Sequence, residues 1–172
     1  MRIGFGVTLV ALLLGGCAAA TAPPAAPVGR LILRETPERG EGRFIGSPAC
    51  GACHAAAYER WLATGHARPF AGLPPAEQRV TACLRCHVTG YGLESGYCTA
   101  GGGTGLASVG CESCHGPGAD HGRSAHPELV PTLTGGECPP CEINRICRLC
   151  HTPERSADFN LARALALVSC AP

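Results

Sequence analysis

Cys111-Glu112-Ser113-Cys114-His115 is one of four stretches in which a Cys-x-x-Cys pair runs directly into histidine. The others are Cys50-Gly51-Ala52-Cys53-His54, Cys83-Leu84-Arg85-Cys86-His87 and Cys147-Arg148-Leu149-Cys150-His151. Two thiols at this spacing reach the two vinyl groups of one porphyrin, and the next imidazole reaches the iron from one face, which is the attachment signature of c-type haem. Zinc binding or disulfide pairing is the competing reading. Zinc sites use Cys-x-x-Cys pairs but do not require histidine immediately after the second cysteine, and they give no reason for a fourfold repetition of the triplet. The motifs predict four covalently attached haems. Cys50, Cys53, His54, Cys83, Cys86, His87, Cys111, Cys114, His115, Cys147, Cys150 and His151 would hold them, the four histidines as proximal iron ligands.

Composition agrees with a chain that borrows its core. Aromatic residues make up 5%, with one tryptophan, Trp61, against 24 glycines and 15 prolines. So few large side chains make a poor apolar core for a single domain. The macrocycles are therefore expected to be the core, with the polypeptide wrapped around them and the apoprotein largely unfolded.

The chain opens like an export substrate. Arg2 is a minimal charged start, Ile3 to Leu14 is an apolar run too short for a membrane-spanning helix, and Leu14-Gly15-Gly16-Cys17 follows. That tetrapeptide resembles a bacterial lipobox, in which the cysteine is lipidated and becomes the mature N-terminus. Cleavage near Ala20 or Ala22 is the alternative. The expected organisation is a lipoprotein leader over residues 1–17, an Ala/Pro-rich tether and irregular segment over 18–43, and a tetrahaem domain over 44–172. The expected place is the periplasm, anchored to a bacterial membrane through lipid on Cys17. Haem attachment to this motif takes place outside the cytoplasm, so leader and motifs support each other.

All 14 basic residues are arginine, balanced by 13 acidic residues. This gives no sign of nucleic-acid binding. Each haem brings two propionates, and the planar guanidinium fork suits carboxylates, although codon bias explains an all-arginine chain equally well.

Local signals predict short helices. Ser47-Pro48 reads as a helix start, and Ala55 to Ala63 as a helix carrying Tyr58 and Trp61 and closed by Gly65. Pro74-Pro75-Ala76-Glu77 would open a helix running into Cys83 to His87. Val88 to Gly110 is a glycine-laden loop. Short helices are expected over Ile143 to Cys150 and Asn160 to Val168, and strand signals are nearly absent. The motifs begin 33, 28 and 36 residues apart, which excludes a strict repeat.

The sixth iron ligands are countable. Of seven histidines, four are proximal, which leaves His66, His121 and His126 for four irons. Met1 is the only methionine and lysine is absent. At least one iron is therefore expected to be five-coordinate or to carry water or an unusual ligand, a state that permits ligand binding or catalysis. Outside the motifs, Cys138 and Cys141 are followed by Glu142 rather than histidine, so a disulfide is the default in an oxidising compartment. Cys98 would pair with Cys170 or stay free.

The stretch from Ile45 through Trp61 and His66, then Cys83 to Gly90, then Val109 to Gly118 with its Cys-Glu-Ser-Cys-His-Gly-Pro-Gly block, resembles the multihaem cytochrome c family of the tetrahaem c-554 type. The likeness spans about Ile45 to Phe159. It implies a mainly α fold with much irregular loop, a small multihaem cytochrome c in which the haems form the core in closely packed pairs. It also implies mixed bis-histidine and five-coordinate irons, distal roles for His66 and His121, and electron relay between periplasmic or membrane redox proteins. An enzyme acting on a small nitrogen or oxygen species at an open haem is the alternative. A glycine-rich loop before Cys111, the Cys138 and Cys141 pair, and a C-terminus without a late histidine depart from the family.

Overall fold

The computed structural model describes residues 43–101, 103, 105–119 and 139–168. The leader, Cys17, most of the tether, His121, His126, Cys138 and Cys170 lie outside these residues. Among the described residues no helix is long and apolar enough to cross a membrane.

The described chain is a set of short helices joined by irregular loop, with no strand among the described residues. In order they are α1 Ser47–Gly51, α2 Ala55–Leu62, α3 Thr81–His87, α4 Cys111–His115, α5 Pro139–Arg148 and α6 Leu161–Val168. Two 3-10 turns, Gly65–Ala67 and Glu77–Arg79, lie between α2 and α3.

Several ends follow from local chemistry. Pro48 occupies the first turn of α1, where its missing N–H costs nothing. Thr64 caps the turn that carries His66 by accepting its N–H at 3.2 Å. Asn160 caps α6, its Oδ1 accepting the Arg163 N–H at 3.0 Å. The single helix expected from Pro74 to His87 is broken instead. Val80 is extended (φ −88°, ψ 116°), which separates the Glu77–Arg79 turn from α3. Gln78 turns back to donate to the Leu73 carbonyl at 2.9 Å, so the Pro74 region folds as a closed loop before α3 starts. The helix expected from Ile143 begins earlier, at Pro139.

The apolar core is small. Leu84, Val88, Tyr97 and Leu106 form the buried cluster, with Phe44, Phe70 and Tyr91 packed on its rim. Leu84 is 0% exposed. It occupies the first variable position of its Cys-x-x-Cys pair, so the same helical turn presents thiols to one side and plugs the core on the other. Leu84→Ala is expected to destabilise the folded protein by about 2–5 kcal/mol through lost contact and a residual cavity. A thermal melt followed by circular dichroism measures this, and an unchanged midpoint would show that Leu84 carries no packing.

A buried polar network registers the elements against one another. The Thr89 hydroxyl donates to the Ser108 carbonyl at 2.7 Å, accepts the Gly110 N–H at 3.0 Å and lies 3.0 Å from the Ser113 hydroxyl. Ser47, also buried, accepts the Cys111 N–H at 3.1 Å. These bonds tie the residue entering α1, the residue just past α3 and the start of α4 into one unit. Gly46 is required at its place: it has φ 83° and a Cβ there would press on the Gly105 backbone.

Candidate cofactor-attachment site

Each motif takes the form of about one helical turn. His54 and His151 donate their N–H to the carbonyls of Cys50 and Cys147, both at 2.9 Å, and Cys83 to His87 and Cys111 to His115 lie wholly within α3 and α4. In a helical turn, residues i, i+3 and i+4 share a face. Both thiols and the imidazole of a motif are thus held on one side by backbone geometry alone.

None of the eight motif cysteines is in a disulfide. Cys98 and Cys141, by contrast, are each disulfide-bonded, so Cys98 does not stay free. No group of three or more His, Cys, Asp or Glu side chains among the described residues is arranged to hold a metal ion.

The thiols meet across motifs. Cys50 and Cys111 are hydrogen-bonded through their side chains, and so are Cys86 and Cys150. The first motif therefore lies against the third and the second against the fourth. In each pair one sulfur gains thiolate character. The bond from Cys50, with help from the Ser47 hydroxyl, lowers Cys111 to about 6, while the shared bond and burial push Cys50 up. The bond from Cys150 lowers Cys86 to about 6, aided by the charges of His87, Arg155 and Arg85, and pushes Cys150 up.

A cavity of about 390 Å³ opens between these elements. Its walls carry Cys83, Cys86, Cys147 and Cys150 together with three imidazoles, His66, His87 and His151. The size falls within the range of small-ligand pockets, about 300–1,000 Å³. Arg85 and Arg155 also line it, two cations where an acidic ligand would need them.

The imidazoles are oriented from behind. His87 Nδ1 lies 2.8 Å from the Pro69 carbonyl, and a carbonyl only accepts, so Nδ1 carries the proton and Nε2 keeps its lone pair for a metal. His151 Nδ1 lies 3.1 Å from the Ser156 hydroxyl, and its ring stacks on Phe159 at 4.5 Å between centroids. Arg148 lies over the same Phe159 ring and donates to the His151 carbonyl at 3.1 Å, closing that corner. His66 lies beside His151, the two ring centroids 5.9 Å apart and the rings tilted 52° to each other. Burial, then the neighbouring His151 charge, lowers the pKa of His66, and burial followed by Arg148 lowers that of His151. Both shifts favour the neutral ring, the state in which imidazole binds metal.

His66 is positioned over a long sequence distance. Its carbonyl accepts the Val109 N–H at 3.0 Å, and the Val109 carbonyl accepts the Trp61 indole N–H at 2.9 Å. The structure thus brings His66 beside His151, the two rings tilted 52° to each other. His121 and His126 lie outside those residues. Sequence reasoning missed Glu112 as a buried group, although a carboxylate between two cysteines and flanked by Gly110 and Gly116 is the kind of residue that small neighbours enclose.

Residues 49–116, which include three of the four motifs and His66, match the family described as Cytochrome c554 and c-prime. Over 101 residues the chain is 36% identical to the cytochrome c-554 of Nitrosomonas europaea, an alignment covering 47% of this chain and 43% of that relative. The chain thus spans less than half the length of the curated relative it matches. No solved structure matches it.

Proposed function

We propose that this chain, whose residues 49–116 are of the cytochrome c-554 type, is an exported carrier of four covalently attached haems that relays electrons between redox proteins. The observation that carries the reading is the set of four motifs, none with a cysteine in a disulfide, each thiol pair on one helical turn with its histidine, and with Cys83, Cys86, Cys114, Cys147 and Cys150 lining a cavity that three imidazoles share. Bound haem would supply a one-electron couple at each motif. The chain's part is to fix two sulfurs and one imidazole per motif and to hold motif against motif. The Cys50 and Cys111 contact pairs the first attachment with the third, and the Cys86 and Cys150 contact pairs the second with the fourth.

His66 is the proposed distal ligand opposite His151. Two imidazoles on opposite faces of one metal ion, with metal–nitrogen bonds of about 2 Å and ring centres about 1 Å beyond, have centroids about 6 Å apart. The observed 5.9 Å matches that span. His121 and His126 are then left as distal candidates for three remaining irons, so at least one iron keeps an open face. Arg85 and Arg155 are proposed partners of propionates at the second and fourth motifs. The proposed organisation remains a leader over 1–17 lipidated at Cys17, a tether over 18–43 and the haem domain over 44–172, in the periplasm.

Intact mass of the protein exported from a host with haem-ligation apparatus tests the count. Four haem additions are expected, with peptides spanning each motif modified at both cysteines. Two or fewer additions would overturn the relay, and steady turnover of nitrite or hydroxylamine with an artificial electron partner would replace it with an enzyme.

A further inference from the structure

Glu112 is the one buried carboxylate among the described residues, 4% exposed, and the attachment chemistry makes no use of it. Its two oxygens are saturated by backbone. Oε1 accepts the N–H groups of Ile45 at 3.0 Å and Gly118 at 2.8 Å, and Oε2 accepts Gly46 at 2.8 Å with a longer 3.3 Å contact to Ile45. Every one of these partners is a donor. An ionised carboxylate accepts only, whereas a protonated one would need an acceptor for its own O–H. The geometry is that of a fixed anion.

Its place gives the charge a target. Glu112 lies between Cys111 and Cys114 on α4, three residues before His115, so less than one helical turn separates it from the ligand histidine. It also draws residues 45 and 46, at the entrance to α1, onto α4. A buried negative charge favours the more positive member of any couple beside it, because low-dielectric surroundings screen it weakly. Ferric haem is one charge more positive than ferrous haem.

We propose that Glu112 is a charge-setting positioning residue that lowers the reduction potential of the iron held by Cys111, Cys114 and His115. This rests on the haem reading above. The contribution comes from a carboxylate held in place by three backbone N–H groups, so it is present without reorganisation in either redox state.

Two variants of the full, haem-loaded protein test it by spectroelectrochemical redox titration. Glu112→Gln removes the charge and keeps the size. One of the four one-electron components should move upward so that its ferric-to-ferrous ratio at fixed potential falls tenfold or more, about 59 mV. Glu112→Asp keeps the charge but shortens the reach, so it should lower thermal stability while leaving that component within threefold of wild type. Equal shifts in both variants, or an unmoved component in Glu112→Gln, would overturn the proposal. If Glu112→Gln fails to mature, Glu112→Asp decides, and a shift beyond threefold overturns it. Peptide mass distinguishes this from failure of the parent reading: wild-type protein without haem on Cys111 and Cys114 would sink the haem assignment itself.

Discussion

Protein exported from a host that lacks haem-ligation apparatus should show no cooperative unfolding transition. The described residues bury only Leu73, Leu84, Val88, Tyr97, Leu106 and Ala119 as apolar side chains, and just four of these form a connected cluster. Ordering a backbone residue costs about 1–2 kcal/mol, and a handful of buried aliphatic groups does not offset that over a loop-rich chain. Four macrocycles bound only by the native state would contribute the missing free energy. Export is the informative condition because the disulfides at Cys98 and Cys141 still form there, so their loss is not confused with loss of haem. Circular dichroism against temperature and limited proteolysis give the readout. The expected result is a sloping, featureless melt and rapid digestion without haem, against a sigmoidal melt and resistant fragments with it. A cooperative transition in the colourless protein would show that the polypeptide supplies its own core.

His66→Ala should convert one haem in four from low spin to high spin. The ring is held opposite His151 by a chain of bonds through Val109 to Trp61, and its turn is capped by Thr64. Removing the imidazole leaves the cap and the backbone anchors intact, so the expected loss is local to the ligand. Ferric electron paramagnetic resonance should gain one high-spin signal per protein over wild type, and carbon monoxide bound to the reduced form should rise by one equivalent. His66→Met offers a different sixth ligand and should restore low spin while raising the potential of that component. An unchanged spin population in His66→Ala would remove His66 from the ligand set and return the 5.9 Å approach to simple packing.

The attachment motifs were legible because their chemistry is local. Three positions on one helical turn are brought together by backbone geometry whatever the rest of the chain does. The helix starts at Ser47 and Ala55 and the shortage of apolar bulk were legible for the same reason, since they depend on residues close in sequence or on composition. The Pro74 to His87 region was misread as one helix because propensity does not see Gln78 folding back on Leu73 or Val80 turning extended. The free or bonded state of Cys98 was likewise open, since pairing depends on which sulfurs the fold brings within reach.

The amino-acid order by itself determined four Cys-x-x-Cys-His turns, three histidines outside them and a chain poor in large side chains. Which turns face each other was decided only by tertiary structure. The contacts of Cys50 with Cys111 and of Cys86 with Cys150, the approach of His66 to His151 and the clamp of Glu112 on residues 45 and 46 all join positions more than 60 residues apart. No local periodicity encodes such distances. For the contacts of α1 with α4, the buried polar network around Ser47 and Thr89 supplies the register, because its hydroxyls must find partners once water is excluded.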